Sequence, residues 1–459
     1  MSTQNESRGG FSGSLGYVLA AAGAAVGLGN IWKFPYLAGS SGGGVFLVIY
    51  LVVVLVVGVP LLIAETSVGR HGQGDAYTSF YRIAKEQGNR NPKVWGLIGF
   101  IGTLCGMAIY TYYVVIGGWV ADYIVKVVTE PLESLNGEAF GAFISQPFEP
   151  IICTIVFSAL TFIVVFGGVQ QGIEKAAKIM MPVLFILLIA IVIRVVTLPG
   201  AVDGLKYLFI PNMTRVAAAG GLGKVALSAM SQAFWSLSLA QGIMIIYGSY
   251  QKKSDSIVKN SLSVAGLDTM VALLAGMAVL GAVFAFGQEP AAGPGLLFGT
   301  LTMAFSTMGA VGGKVFGCMF FVTVLLAALT SSVSLLEVAT SFLTETCHLP
   351  RRKALIGFAL VGFVISALAS LSNGALSGVT IGGLSIFDAL GFFAETLLLP
   401  IAGFTCSLFV GWVWKPQNAL KEITNEGTIR FKLGSLWGIL IKYILPIGIA
   451  YIFISGITA

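Results

Sequence analysis

Ala22-Gly23-Ala24-Ala25-Val26-Gly27-Leu28-Gly29-Asn30-Ile31-Trp32-Lys33-Phe34-Pro35 lies inside the first long apolar segment of the chain. Lipid offers the backbone no hydrogen-bond partner, so irregular backbone survives in a membrane only where protein or a polar cavity covers it. The stretch reads as a helix broken near mid-membrane, with freed carbonyls and half-helix ends turned towards a bound ion or solute. The competing reading is a packing face, because Gly23 and Gly27 have the Gly-xxx-Gly spacing that lets helices approach closely. Asn30 and Lys33 serve no such face, and they favour the break.

The surrounding composition supports a membrane protein. Of 459 residues, 56% are hydrophobic and 10% charged, against roughly 25% charged in a soluble domain. A span needs about 20 apolar residues. Eleven segments supply them, at about 12–37, 42–68, 94–127, 149–168, 176–197, 225–250, 256–286, 313–343, 354–372, 385–412 and 436–456. The predicted fold class is an all-α membrane protein with 11 transmembrane helices and no soluble appendage.

A net charge of +6 invites a nucleic-acid reading, which the charge distribution removes. Basic residues collect in alternate loops: Arg70, Arg82, Lys85, Arg90 and Lys93; Lys175 and Lys178; Lys252, Lys253 and Lys259; Arg351, Arg352 and Lys353; Lys415, Lys421, Arg430 and Lys432. The loop after the third span carries Glu130, Glu133, Glu138 and Glu149 instead. The positive-inside rule then places the amino terminus in the cytoplasm and, after eleven spans, the carboxyl terminus outside. Met1 to Gly10 lacks a cleavable signal pattern. Cys105, Cys153, Cys318, Cys347 and Cys406 have no metal or redox spacing, and His71 and His348 stand alone. No catalytic triad or nucleotide motif is visible, so an enzyme is not expected.

A second segment looks interrupted. Ala233-Phe234-Trp235-Ser236-Leu237-Ser238-Leu239-Ala240-Gln241-Gly242 places serines, a glutamine and a glycine inside the sixth span. Five spans separate the two interrupted segments, so they enter the membrane from opposite sides. This is the pattern of a 5+5 inverted repeat with discontinuous helices 1 and 6, plus one extra helix. The expected organisation is a cytoplasmic tail (1–11), a first five-helix repeat (12–197) and an extracellular loop (198–224). A second repeat (225–412), a cytoplasmic loop (413–435) and the eleventh helix (436–459) follow. Residues 296–305 are apolar at helical spacing but too short to span, which fits either a lid or a helix packed on the rim.

Several polar residues within spans call for an account. Ala327, Thr330 and Ser331 share one helical face and can close a cation site against Gly23 and Val26; alternatively, the hydroxyls bond back to their own helix. Asp268, an ionisable residue inside the seventh span, is a functional-site candidate by default. Glu65 reads as structural, reaching a helix end or a backbone amide. Pro182 weakens the start of the fifth span, which reads as a static kink or as a helix that loosens on its cytoplasmic side.

With these residues assembled, nearly the whole chain resembles the bacterial members of the neurotransmitter:sodium symporter family, the group that contains the bacterial leucine transporter. Gly23 to Pro35, Gly69-Arg70, Trp235 to Gly242 and Thr330-Ser331-Ser332 carry the likeness. The resemblance implies sodium-coupled uptake of an amino acid, with two Na+ sites. Ala25, Asn30, Ser236, Asp268 and the substrate carboxylate would form the first; Gly23, Val26, Ala327, Thr330 and Ser331 would form the second. The substrate pocket would use Ala25, Gly27, Gly29, Ile109, Tyr113, Ile116, Trp235, Ser236, Ser238, Gln241, Ser331 and Leu335. Tyr113 would bond the carboxylate, and Trp235 would cover it.

Departures from the family pattern refine the expectation. Gly27 stands where monoamine carriers place an aspartate, which leaves room for a substrate carboxylate and favours α-amino acids. Asp268 stands where chloride-dependent relatives have asparagine, with Ala272 one turn later in place of serine, so no chloride is expected. Arg8 and Glu345, with Phe11 and Tyr250 nearby, match an inner gate. In the outer gate Lys33 replaces arginine, and its usual acidic partner aligns with Gly391; Asp388 one turn earlier, or a water-bridged contact, is the expected substitute. Gly172 and Pro182 match a motif for unwinding of the fifth span. The apolar lining implies a neutral, hydrophobic or aromatic L-amino acid, with Gln241 meeting either a polar side chain or the unwound backbone. A non-transporting amino-acid sensor or a carrier of another small amine is the alternative. The expected setting is the bacterial inner (plasma) membrane, with the lipid bilayer as partner, no nucleic acid, and a monomer sufficient for transport.

Overall fold

The computed structural model describes residues 9–288 and 293–458. Among the described residues the architecture is helical apart from a hairpin of Thr380–Ile381 with Leu384–Ser385. Gly382 and Gly383, at φ 62° and 85°, turn it. Nine helices there are long and apolar enough to cross a bilayer: Gly44–Gly72, Pro92–Thr129, Glu149–Phe166, Val169–Val196, Ile257–Ala285, Ala310–Glu345, Arg351–Leu371, Ile386–Trp414 and Gly434–Ile457. Ser14–Ala25 and Gly29–Ser40, bent by 57°, make a tenth as a broken span. The segment expected as the sixth span consists of two rods, Leu222–Ser236 and Ile243–Ser249. Neither rod reaches the roughly 20 residues that a span requires, so length and apolarity alone stop at ten.

The helices divide into core and periphery. In Ala310–Glu345, 72% of the most apolar window is buried, against 28% in Glu149–Phe166 and in Gly434–Ile457. The peripheral helices turn Ile163, Ile186, Val364 and Ile447 outward, an aliphatic surface suited to lipid tails. Core helices meet at small residues, as expected where lipid removes the hydrophobic drive for association. A Cβ on Gly69 would lie 1.7 Å from the Ile245 carbonyl oxygen, and one on Gly248 would lie 2.4 Å from that of Thr66.

The connecting segments also fold. The stretch read as a Gly- and Ala-rich loop carries helices Ala201–Phe209 and Met213–Ala218. Arg215 donates to the carbonyls of Gly39 (2.6 Å) and Tyr207 (2.9 Å), tying this loop to the first span. Leu296–Ser306 is a rim helix: Phe298 stacks on Phe140 at 4.7 Å, and Thr302 Oγ1 donates to the Leu135 carbonyl. We call this end of the bundle upper, and the end bearing helix Pro416–Ile423 lower.

A charged clasp closes the lower end. Arg70 is fully buried and donates to Glu422 Oε1 (2.7 Å) and to the Asp255 carbonyl (2.7 Å). Glu422 also accepts from Lys253 (2.6 Å) and lies 3.1 Å from His71 Nδ1. Burial pushes the Glu422 carboxyl upward, but hydrogen bonds from His71 and Lys253, with the charges of Lys253 and Arg70, outweigh it and hold the group at about 2. The clasp fixes the lower end of Gly44–Gly72 against helix Pro416–Ile423 and the segment around Asp255, because removing Arg70 or Glu422 strands the other as a buried charge.

Candidate functional site

The two helix breaks meet. Ser14–Ala25 ends at Val26, whose ψ of 105° leaves the helical basin. The Gly27 amide then donates to Asn30 Oδ1 (3.0 Å) and the Leu28 amide to the Tyr113 hydroxyl (3.2 Å). Because those amides turn away, the carbonyls of Gly23 and Ala24 lose their helical donors. At the second break Ser238 (φ 50°), Ala240 (φ 63°) and Gly242 (φ 77°) adopt left-handed backbone. Glu65 holds it there from outside, its Oε1 accepting the Ala240 amide (2.7 Å), and Ser238 Oγ reaches across to the first break, donating to the Ala24 carbonyl (2.8 Å). Glu65 is therefore a structural group, as read. Gln232 adds a link that the sequence did not signal, donating to the Gly29 carbonyl (3.0 Å).

One cluster of polar groups joins the breaks to the helix Ile257–Ala285. Asn30 Nδ2 donates to Asp268 Oδ1 (2.7 Å) and to Ser236 Oγ (2.9 Å), and Ser236 Oγ donates to Asp268 Oδ2 (2.7 Å). All three residues are buried. Among the described residues no lysine, arginine or histidine pairs with Asp268. A buried carboxylate without a cationic partner is costly, and this donor set of carboxylate, hydroxyl and amide fits a small hard cation. Ala25, the remaining protein group expected here, ends the first rod and lines the adjoining cavity.

A second cluster surrounds Ser331. Its hydroxyl lies 3.1 Å from the carbonyl oxygens of Ala24 and Val26, 3.2 Å from that of Ala327 and 3.4 Å from that of Gly23. A serine hydroxyl has one proton to give, so it satisfies one of these oxygens at a time, while Ser238 Oγ donates to that of Ala24 and Thr330 Oγ1 to that of Ala327. Gly23, Val26, Ala327 and Ser331 are thus brought together. The Thr330 hydroxyl bonds back to the Leu326 and Ala327 carbonyls (3.0 Å each). Its side chain packs on Gly23, where a Cβ would come within 3.2 Å.

Between the clusters lies a small cavity of about 20 Å³. Of the residues assigned to the substrate pocket, Ala25, Gly27, Gly29, Ile109, Tyr113, Trp235, Ser238, Gln241, Ser331 and Leu335 line it. Two expected residues stand elsewhere. Ile116 faces a vestibule above, one helical turn past Tyr113, and Ser236 turns its hydroxyl to Asp268. Ala24, Leu28, Asn30 and Ile243 also line the cavity, and the sequence reading of the pocket lacked them. Ala24, Leu28 and Asn30 are interior to the glycine-broken stretch, so their proximity followed from the break itself.

Above the cavity the vestibule holds about 550 Å³. Trp235 lines both spaces. The predicted pairing of Lys33 with Asp388 is corrected: Lys33 Nζ lies 3.3 Å from Glu395 Oε2, whose other oxygen accepts from Tyr112 (2.9 Å). Asp388 serves its own helix start, accepting from Ser385 Oγ (2.7 Å). Glu395 lies two turns beyond Asp388 and one turn beyond Gly391, so it presents the same helix face. Lys33 also lies 5.3 Å from the Trp235 ring centre, joining lid and ion pair.

Below the cavity Phe11 is buried edge-on against Tyr17, Tyr247 and Tyr250 at 5.5–6.1 Å. The Tyr250 hydroxyl donates to Glu337 (2.8 Å), and Glu345 accepts the Asp75 amide (2.6 Å). Arg8, the expected partner of Glu345, lies outside the described residues. Val169–Glu174, which contains Gly172, is wound as a π-turn leading into helix Lys175–Val196, which carries Pro182.

The family model described as "Sodium:neurotransmitter symporter family" matches residues 8–138 and 146–459. The chain is 35% identical over 449 residues to an uncharacterized sodium-dependent transporter, YhdH, of Bacillus subtilis, covering 97% of each. It is 33% identical over 469 residues to an uncharacterized sodium-dependent transporter of Haemophilus influenzae, covering 100% of each. It is also similar to the human sodium- and chloride-dependent GABA transporter 2, at 24% identity, covering 91% of this chain and 75% of that one. The crystal structure of MhsT in complex with L-phenylalanine superposes with a TM-score of 0.86 at 39% identity, covering 98% of this chain and 100% of MhsT.

Proposed function

Because the chain belongs to the sodium:neurotransmitter symporter family, we propose that it couples Na+ flow to uptake of a neutral L-amino acid by alternating access. The observation that carries this is the meeting of two helix breaks: a buried carboxylate with no basic partner among the described residues and a knot of carbonyl oxygens flank one cavity. Two bacterial relatives are named as sodium-dependent, and MhsT was crystallised with an amino acid. The two clusters support a reading with two Na+ sites. Asn30, Ser236 and Asp268, with Ala25 and the substrate carboxylate, take one ion. Gly23, Val26, Ala327 and Ser331, with Thr330 beside them, take the other.

Gly27 supports an amino acid over an amine. A Cβ there would come within 2.8 Å of the Tyr113 hydroxyl and 2.9 Å of Ser331 Oγ. Without it, a substrate carboxylate can reach the Tyr113 hydroxyl and the positive end of the half-helix that starts at Gly29. Asp268 supplies fixed negative charge beside Na+, so transport is chloride-independent in this reading.

In the cycle, the upper vestibule faces outside and admits Na+ and substrate past Trp235. The Lys33–Glu395 pair closes over them; lysine lacks arginine's two-pronged donor set, so this closure is loose. On the inner side Phe11, Tyr250 and Glu345 then part while Val169–Glu174 loosens. Each charge crossing about 100 mV contributes roughly 2.3 kcal/mol. Two ions give about 4.6 kcal/mol, enough at about 1.4 kcal/mol per tenfold for a gradient above a thousandfold.

Reconstitution into proteoliposomes tests the proposal. Each standard amino acid is offered under an inward Na+ gradient, then with choline replacing Na+. Accumulation of at least one neutral amino acid that requires Na+ and ignores chloride supports it. Binding without accumulation indicates a sensor and overturns it.

A further inference from the structure

Gln241 is buried, lines the cavity, and its side-chain amide forms no hydrogen bond to any described residue. This separates it from every other polar group around the cavity. Asn30, Tyr113, Ser238 and Ser331 all have protein partners there. The unwound backbone beside it is held by Glu65 instead, through the Ala240 amide. The amide is thus free for whatever fills the cavity.

The position of Gln241 says which part of a solute it meets. Its carbonyl oxygen lies 2.7 Å from where a Cβ on Gly106 would be, so its backbone packs against Gly106 on Pro92–Thr129. Tyr113, at the carboxylate end of the cavity, stands two turns further along that helix, about 10 Å away at 1.5 Å per residue. An amino acid anchored by its carboxylate at Tyr113 reaches Gln241 only with its side chain. Ile109, Ile243 and Leu335 make the remaining wall of the cavity apolar.

Resting on the reading above, we infer that Gln241 selects the substrate side chain: the preferred solute is a neutral L-amino acid whose side chain is apolar along its length and carries a hydrogen-bonding group at its end. A buried amide left without a partner disfavours the analogue that lacks the group, and such sites reject analogues far more strongly than an apolar wall distinguishes one methylene.

The test uses near-isosteric pairs, tyrosine against phenylalanine and glutamine against methionine. Na+-driven uptake by the intact protein is compared with that of Gln241→Leu and Gln241→Met, two substitutions so that one misfolded variant does not decide the outcome. The expected result is a preference of tenfold or more in kcat/KM for the polar member of at least one pair. Both substitutions should erase that preference by lowering uptake of the polar member while apolar uptake persists. Equal handling of both members by the unsubstituted protein, or a preference that survives both substitutions, overturns this inference and leaves the transport reading intact. Absence of Na+-driven uptake of any amino acid overturns both.

Discussion

Replacing Asp268 by asparagine isolates charge from shape. Asp268 accepts from Asn30 Nδ2 at one oxygen and from Ser236 Oγ at the other, both at 2.7 Å. In Asp268→Asn the amide oxygen can keep the Asn30 contact while the amide nitrogen donates to Ser236 Oγ, which has lone pairs to accept. The packing and hydrogen-bond count therefore survive, and a unit of negative charge is lost. Two unit charges about 4 Å apart attract by about 4 kcal/mol at an effective dielectric constant of about 20. At about 1.4 kcal/mol per tenfold, that is roughly a thousandfold in Na+ affinity. A substrate carboxylate in the adjoining cavity offsets part of the loss, so half-saturating Na+ should rise by between about tenfold and a thousandfold. The assay is amino-acid uptake into proteoliposomes titrated with Na+, with chloride present and with gluconate in its place. Chloride should restore part of the variant's uptake or have no uptake left to restore. Unchanged Na+ dependence with full uptake in gluconate would refute the assignment of this carboxylate to the ion.

Three further outcomes are expected. Ser331→Ala removes the group that bridges the two helices, and should raise half-saturating Na+ by about tenfold or more for one lost oxygen ligand at about 1.5–3 kcal/mol; a wild-type Na+ titration would contradict this. Glu395→Gln should speed release of preloaded radiolabelled substrate to the outer side several-fold, whereas Asp388→Asn should not; the reverse order would restore Asp388 as the partner of Lys33. Glu422, held at about 2 against the usual 4.5, contributes stability that is complete above about pH 4.5 and is lost as pH falls towards 2. The full effect is about 3 kcal/mol at about 1.4 kcal/mol per unit. Melting in detergent should show Glu422→Gln well below the parent at pH 7 and the gap narrowing below about pH 4.5; a gap independent of pH would exclude the linkage.

The residues that break the first helix announced themselves, because three glycines, an asparagine and a lysine have no use on a lipid-facing surface. The serines, Gln241 and Gly242 of the sixth segment did the same, and Ala327, Thr330 and Ser331 shared a face by helical spacing alone. Asp268 stood out because an uncompensated carboxylate inside a span demands a reason. The Lys33 partner was misplaced by two turns, since an alignment gives a position in a chain and not the direction in which a helix face turns. Gln232 was missed for a related reason: one more polar residue beside a break carries no signal until its amide is seen on the Gly29 carbonyl.

The chain's own pattern of apolar runs, breaks and loop charges thus determined that this is a many-helix membrane protein with two interrupted spans and polar groups at the interruptions. Those are local properties, set by what lipid and backbone tolerate at each position. Which polar groups satisfy one another was decided only in three dimensions. Ser331 meets carbonyls some three hundred positions away, Glu395 rather than Asp388 meets Lys33, and Gln241 keeps a free amide while Glu65 takes the backbone amide beside it. Hydrogen bonding is short-ranged and saturable, so the partners left over for a solute emerge only after every internal pairing has been made.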